Sequence, residues 1–415
     1  MRLTRELASS VNFIVCTIPP VHEIVIVISD LYLAPGQAGG SPEAAGSVTL
    51  PGFEHAARFG QRRSIEGEGG WRPWLARWLG HDDLASVAPA VIAAAAIPSA
   101  AAPSAAVRVS PGALTASVAP TDSAGANRDN IDSRVDVEPS TAIPSVRGAD
   151  HTAWLATPVH LIAGLTSLHV DRRSILRLSA GDLESFAQDF NRSFGDTELH
   201  LAPLANGELL MRGPATLIAT TTEPSRALVA DLETSLPRGS DAKALKRLGA
   251  ELEMWLHTHP LNESRQRRGE VPVSTLWLWG GGPLANRAAS SPGNPGDVAL
   301  GPDPYLTGLW HLHGARVGEL PADKLASLLA TPQVQRAILA TEVTPMLHSN
   351  PRWTVFDALA ELDRLYVAPA IAALRTGAVE KVVLIANDTE LQVTPRDRLK
   401  FWRRPQPTLL SLQPP

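Results

Sequence analysis

The run Glu23-Ile-Val-Ile-Val-Ile-Ser29, ending at Asp30, constrains the fold more than any other segment. It is apolar without alternation, so both faces of the strand need burial, as in a central strand of a parallel sheet covered on both sides. Ligands of open α/β sheets gather at the carboxyl ends of such strands, which puts Asp30 where chemistry is expected. An Asp after a strand also serves simply to open a turn.

The rest of the chain alternates strand and helix signals. Trp71, Trp74, Leu75, Trp78 and Leu79 recur at helical spacing and are closed by Gly80, which predicts one amphipathic helix with its tryptophan stripe in the core. Helices are also expected around Leu183–Phe190, starting near Ser179 or Gly181-Asp182, over Ala242–Leu256 and over Val355–Leu374. Strands are expected over Trp154–Gly164, Glu198–Ala202, Glu208–Met211, Leu276–Trp279 and Val379–Ala386. This alternation predicts an α/β sandwich with a mostly parallel sheet.

Between Ala93 and Val146 the chain turns to Ala, Pro, Ser and Thr, which cannot bury enough surface to offset ordering entropy; a disordered insertion is expected there. Residues Met1 to Pro20 carry Arg2, Arg5 and a short apolar run broken by Asn12 and Thr17, read as a disordered extension and not as a signal peptide. The net charge of −5 over 415 residues argues against a phosphate-backbone grip on nucleic acid. Cys16 is the only cysteine, which excludes an intrachain disulfide and fits a reducing, cytoplasmic address. No apolar stretch is long enough for a membrane helix.

Several motifs are absent. There is no G-x-S-x-G elbow and no H-E-x-x-H, and Gly280-Gly281-Gly282 matches neither a P-loop nor a dinucleotide fingerprint. The triplet fits a sharp turn or close packing beside a ligand. His257 with His259 and His311 with His313 would share a face only on a strand. Both pairs are read as structural.

His259-Pro-Leu-Asn262, Arg265, Gly269, Pro272 and then Leu276-Trp-Leu-Trp-Gly280 resemble the archaeal-type cofactor-independent phosphoglycerate mutases, with Val273-Ser274 in place of an Ala-Asn pair. Ile24–Asp30, Leu50–Gly60, residues 152–212 and Ala360–Thr389 follow in the family's order, and the nearest likeness is to a bacterial branch of RpfE-type regulatory proteins. The resemblance implies an alkaline-phosphatase-like sandwich with a smaller inserted α+β domain. Its segments would be a 1–20 extension, core 21–92, an insertion 93–149, the inserted domain 150–222, core 223–400 and a 401–415 tail.

The family uses two divalent metals and a Ser or Thr nucleophile, and this chain departs from that set. Asn387-Asp388-Thr389 stands where the family has Asp-His-Ser/Thr, and His348 is the one candidate for an earlier Asp-x-x-x-His pair. What the resemblance leaves is Ser41 as nucleophile, Asn262, Arg265, Gly280 and Gly281 as ligand-binding residues, and Asp30, Asp363 and Asp388 as ligands for one Mg²⁺ or Mn²⁺. Three functions remain open. One is a regulatory protein with a degenerate metal site that binds a phosphorylated metabolite. The others are an active mutase or phosphatase with a remodelled site, and a scaffold for a protein partner. Neither nucleic acid nor membrane is expected as a partner.

Overall fold

The structure, a computed structural model, describes residues 21–33, 48–67, 69–97, 151–163, 168–204, 207–215, 217–228, 232–284, 293–318, 325–331, 333–400 and 402–403. Ser41, the 1–20 extension and most of the 93–149 insertion and the tail lie outside these residues. The strands are β1 Val21–Ile28, β2 Gln61–Ser64, β3 His151–Val159, β4 Ile162–Ala163, β5 Leu168–His169, β6 His200–Pro203 and β7 Leu209–Pro214. They continue with β8 Thr275–Pro283, β9 Asp297–Leu300, β10 Arg316–Gly318, β11 Arg336–Thr341, β12 Val379–Ala386 and β13 Thr389–Val393.

A seven-stranded sheet runs β10-β9-β11-β1-β12-β13-β2, parallel through β12 and antiparallel at β13 and β2. As its unbroken apolar run demands, β1 is central. Ile24, Ile26 and Ile28 enter one layer with Phe53, Leu359 and Leu384, while Val25 and Val27 enter the other with Leu75, Trp310 and Ile338. The turn from β12 to β13 is two residues, Asn387 and Asp388, with φ of 51° and 55°. This is the left-handed geometry of a tight hairpin, which Asn and Asp tolerate best among non-glycine residues.

A second, antiparallel sheet has the order β6-β7-β3-β8, with Phe186 and Phe190 of the Ala180–Ser193 helix and Leu252 and Leu256 of the Ala242–His257 helix packed on Trp154 and Met211. The sheet of the expected 150–222 segment takes its fourth strand from further along the chain: β8, Thr275–Pro283, pairs with β3 from Thr152 to Val159. Without β8 the inner edge of β3 would have no hydrogen-bonding partner. The Pro89–Ala94 helix lies across the expected start of the insertion at 93. It joins the layers, setting Ala90 and Ala93 against Leu155 and Trp279 and Ile92 against the large sheet's core.

The expected tryptophan helix is Trp71–Trp78, followed by Gly80 at φ 88°. The expected Val355–Leu374 helix is broken by a wide turn over Asp363–Val367 before resuming at Ala368–Thr376. Pro369 has no N–H to give the Leu365 carbonyl, and the Ala368 N–H instead reaches Asp363 O. Among the described residues no helix is long and apolar enough to cross a membrane.

Candidate functional site

The His259–Val273 segment is a latch. His259 caps the Pro260–Arg267 helix, its Nδ1 accepting the Leu261 N–H at 3.1 Å. Asn262 donates to Leu256 O and Val273 O at 2.8 Å and accepts the Val273 N–H at 2.7 Å. Arg265 Nε donates to Val271 O at 2.7 Å while its Nη1 lies 3.1 Å from Glu270. The expected ligand-binding pair, Asn262 and Arg265, is thus spent on its own loop, fixing where β8 begins. His257 is exposed and His259 buried, and His311 is exposed and His313 buried, so neither pair shares a face.

The polar centre lies where the carboxyl ends of β1, β9 and β11 meet the small sheet. A cavity of about 30 Å³ there is lined by Asp30, Glu208, Glu223, Asp303 and Glu342, with Arg72 and Arg177 among them. Arg177 bridges the two sheets, donating from Nη1 to Glu208 and from Nη2 to Glu342 at 2.8 Å. Arg72 forks onto Glu223 at 2.8 and 3.1 Å and reaches Asp303 at 3.1 Å, its guanidinium between the rings of Trp71 and Trp279. Beside the cavity, Arg226 holds Asp388 at 2.7 and 2.8 Å and lies over the Tyr32 ring.

Each carboxylate has a fixed partner. Asp30 accepts the backbone N–H groups of Val343 and Thr344, both at 2.7 Å, and Arg172 donates to its carbonyl. Asp303 caps the Pro304–His313 helix through Tyr305 and Leu306. Burial pushes the Glu342 pKa up against the pull of Arg177, with Asp30 and Asp303 adding to the rise. Burial also raises Asp388, against Arg226. Burial opposes the charge on Arg72, but Glu223 and Asp303 hold its pKa above the ordinary value. The hydroxyls of Ser225 and Thr344 line this cavity, buried and without a hydrogen-bond partner.

The three carboxylates expected to share a cation are engaged separately. Asp363 accepts from Gly52 N at 3.1 Å and Phe53 N at 2.9 Å, capping the Pro51–Phe59 helix. Asp30 holds another helix start, and Asp388 is forked by Arg226. His348 Nε2 donates to the Arg173 carbonyl at 3.1 Å. Among the described residues no three His, Cys, Asp or Glu side chains stand close enough to hold a metal ion. Asp30, Asp363 and Asp388 do not fit a shared cation.

Gly280 and Gly281 do border a space. A cavity of about 450 Å³ is lined by Arg72, Glu223, Trp279, Thr220, Ser240 and these glycines, among others. Gly280 has φ 64° against Pro89, and a side chain on Gly281 would strike the Trp154 indole. Arg72, Glu223 and Trp279 wall both cavities.

Sequence reading missed Arg72, Arg177, Glu208, Glu223, Asp303 and Glu342. One signal was available: Ala337–Ala340 is an apolar run followed by Thr341 and Glu342, as Ile24–Ile28 is followed by Ser29 and Asp30. At the opposite, amino edge of the sheet, buried Asp297 accepts from Arg336 Nε at 2.9 Å and lies 3.0 Å from His313 Nε2. His313 Nδ1 in turn meets His81 Nε2 at 2.9 Å.

No protein-family model matches the chain, and no curated protein matches it. Among solved structures it is similar to the cofactor-independent phosphoglycerate mutase of Thermoplasma acidophilum, at 14% identity and a TM-score of 0.36, covering 90% of each chain. It is also similar to the PH0037 protein of Pyrococcus horikoshii, at 12% identity and a TM-score of 0.42, covering 91% of this chain and 88% of that one.

Proposed function

We propose that this chain is a phosphoglycerate-mutase-like protein that has given up metal-dependent phosphoryl transfer and acts as a small-metabolite-binding regulator, of the kind the RpfE-type resemblance implies. One observation carries the reading: the carboxylates at the carboxyl edge are committed to guanidinium groups and backbone N–H donors. A two-metal phosphotransfer site needs anionic oxygens free to bind both ions. The ligand belongs in the larger cavity, where Arg72 and Glu223 form part of the wall and Thr220 and Ser240 offer hydroxyls. Arg72 is already neutralised by two carboxylates, so an unphosphorylated acid or sugar suits the wall at least as well as its phosphate ester.

The test is an assay of 2- and 3-phosphoglycerate interconversion with and without Mn²⁺ or Mg²⁺, beside calorimetric titration with both phosphoglycerates and with glycerate. No turnover, with saturable binding of any of these, is the expected result. Metal-dependent turnover would overturn the proposal.

A further inference from the structure

β8 stands at the edge of the small sheet, and its Thr275–Leu278 stretch borders a further cavity of about 260 Å³. The Ala242–His257 helix and the 232–237 segment form the other walls. The lining is largely apolar, from Leu161, Leu232, Leu236, Leu245, Leu276 and Trp277, with Leu236 37% exposed. Trp277 Nε1 donates to Thr222 O at 2.7 Å, which fixes its ring. Only Thr221 is common to this cavity and the one assigned above to the metabolite.

Gly249 lines the cavity from the middle of the helix, where an added Cβ would meet no atom within 4 Å. After proline, glycine is the poorest residue for a helix interior, and neither a left-handed φ nor close packing calls for it here. What it does is keep the space open. Thr275, 7% exposed, lines the same space with a buried hydroxyl that has no hydrogen-bond partner among the described residues. Such a group is costly to bury, and a ligand oxygen would relieve it. Lys246 and Glu253 stand exposed at the cavity, one helical turn before and one after Gly249, so their charges cancel.

We infer that this cavity is a second ligand site, which takes an uncharged, mostly apolar molecule carrying one hydroxyl or carbonyl oxygen. A cavity of about 150 Å³ holds benzene, so 260 Å³ holds a ring with a short chain, about ten heavy atoms. The apolar walls supply the affinity, and the oxygen pairs with the Thr275 hydroxyl. A carboxylate would meet Glu253 and an ammonium would meet Lys246, so neither charge is favoured. The site does not rest on the metabolite-binding reading, and failure of one leaves the other standing.

The experiment labels the full chain with 5-fluorotryptophan and follows the fluorine resonance of Trp277, assigned by its loss in W277F. The probes are 3-phenyl-1-propanol, propylbenzene, 3-phenylpropionate and 3-phenylpropylamine. The alcohol should shift the Trp277 resonance saturably and bind more tightly than the acid or the amine. It should also bind about fivefold more tightly than the hydrocarbon, the worth of one hydrogen bond. T275V should erase that advantage and leave the affinity for propylbenzene unchanged. G249L should fill the cavity and abolish binding, while unfolding at or above the wild-type temperature.

A Trp277 resonance that stays in place up to the solubility limit of the alcohol overturns the inference. So does a folded G249L that binds the alcohol as tightly as wild type. An acid or amine that binds more tightly than the alcohol overturns it too, as does a T275V protein that keeps the alcohol's advantage. If G249L does not fold, T275V and the four probes still decide the matter.

Discussion

The carboxylate of Asp30 holds the amide of Thr344, 2.7 Å from Oδ2, so a residue in the turn just past β1 fixes the start of the helix after β11. The two are neighbours because β1 and β11 run parallel in register, Ile28 opposite Thr341. The carboxylate also suits a helix start electrostatically, since the first N–H groups have no intrahelical acceptor.

Removing that acceptor should destabilise the fold. Asp30→Ala is expected to cost about 1–3 kcal/mol, by leaving the buried Val343 and Thr344 N–H groups without partners. Asp30→Asn, which keeps one acceptor oxygen, should fall between. Urea unfolding at neutral pH measures both, and an Asp30→Ala protein as stable as wild type would refute the capping role.

Asn262 makes a prediction of stability without binding. Its amide carries three hydrogen bonds to the backbone of Leu256 and Val273. Asn262→Ala should lower stability by about 2–4 kcal/mol, since two buried carbonyls and an N–H lose their partner. Metabolite affinity of the folded variant, measured by calorimetry below its melting temperature, should stay at the wild-type value. A selective loss of affinity at unchanged stability would return Asn262 to the ligand site.

Asp297 contributes to the acid limb of the stability profile. Burial raises its pKa, but hydrogen bonds from His313 and Arg336 outweigh burial and hold the carboxylate below its ordinary value of 3.8. A depressed folded pKa contributes stability that is complete above the unfolded value and is lost as pH falls through the lower folded one. Asp297→Asn should therefore cost about 3–5 kcal/mol at pH 7, leaving Arg336 and His313 without their anion. The gap to wild type should narrow only below pH 3.8. Denaturant midpoints of the two proteins across acid pH provide the check, and a constant gap would contradict it.

Glu342 has the opposite sign. Its folded pKa is raised, so its contribution is complete below the ordinary Glu value of 4.5 and is lost as pH rises through the folded value. Glu342→Gln stays neutral and can still accept from Arg177. Relative to wild type it should gain stability as pH climbs from the acid range towards 8, and hold no advantage below 4.5. Parallel pH–stability curves for the two proteins would show that the ionised carboxylate carries no penalty.

Local pattern in the chain determined the frame of this protein. The unbroken Ile–Val run could only be a strand covered on both faces, and it is central in the large sheet with a helix-bearing layer on each side. Helical spacing located Trp71–Trp78 and Ala242–His257, and capping residues located the start of Ala180–Ser193. These features are readable because periodicity and capping act over a few residues.

What each polar side chain does was decided only by the tertiary structure. Arg177 meets Glu208 and Glu342, the latter 165 residues away, and Arg72 meets Asp303 across 231. Asp30, Asp363 and Asp388 look alike in sequence, yet two cap helices and one is clasped by an arginine. A carboxylate's role depends on which donor the fold carries within about 3 Å of it, and no spacing along the chain encodes that distance.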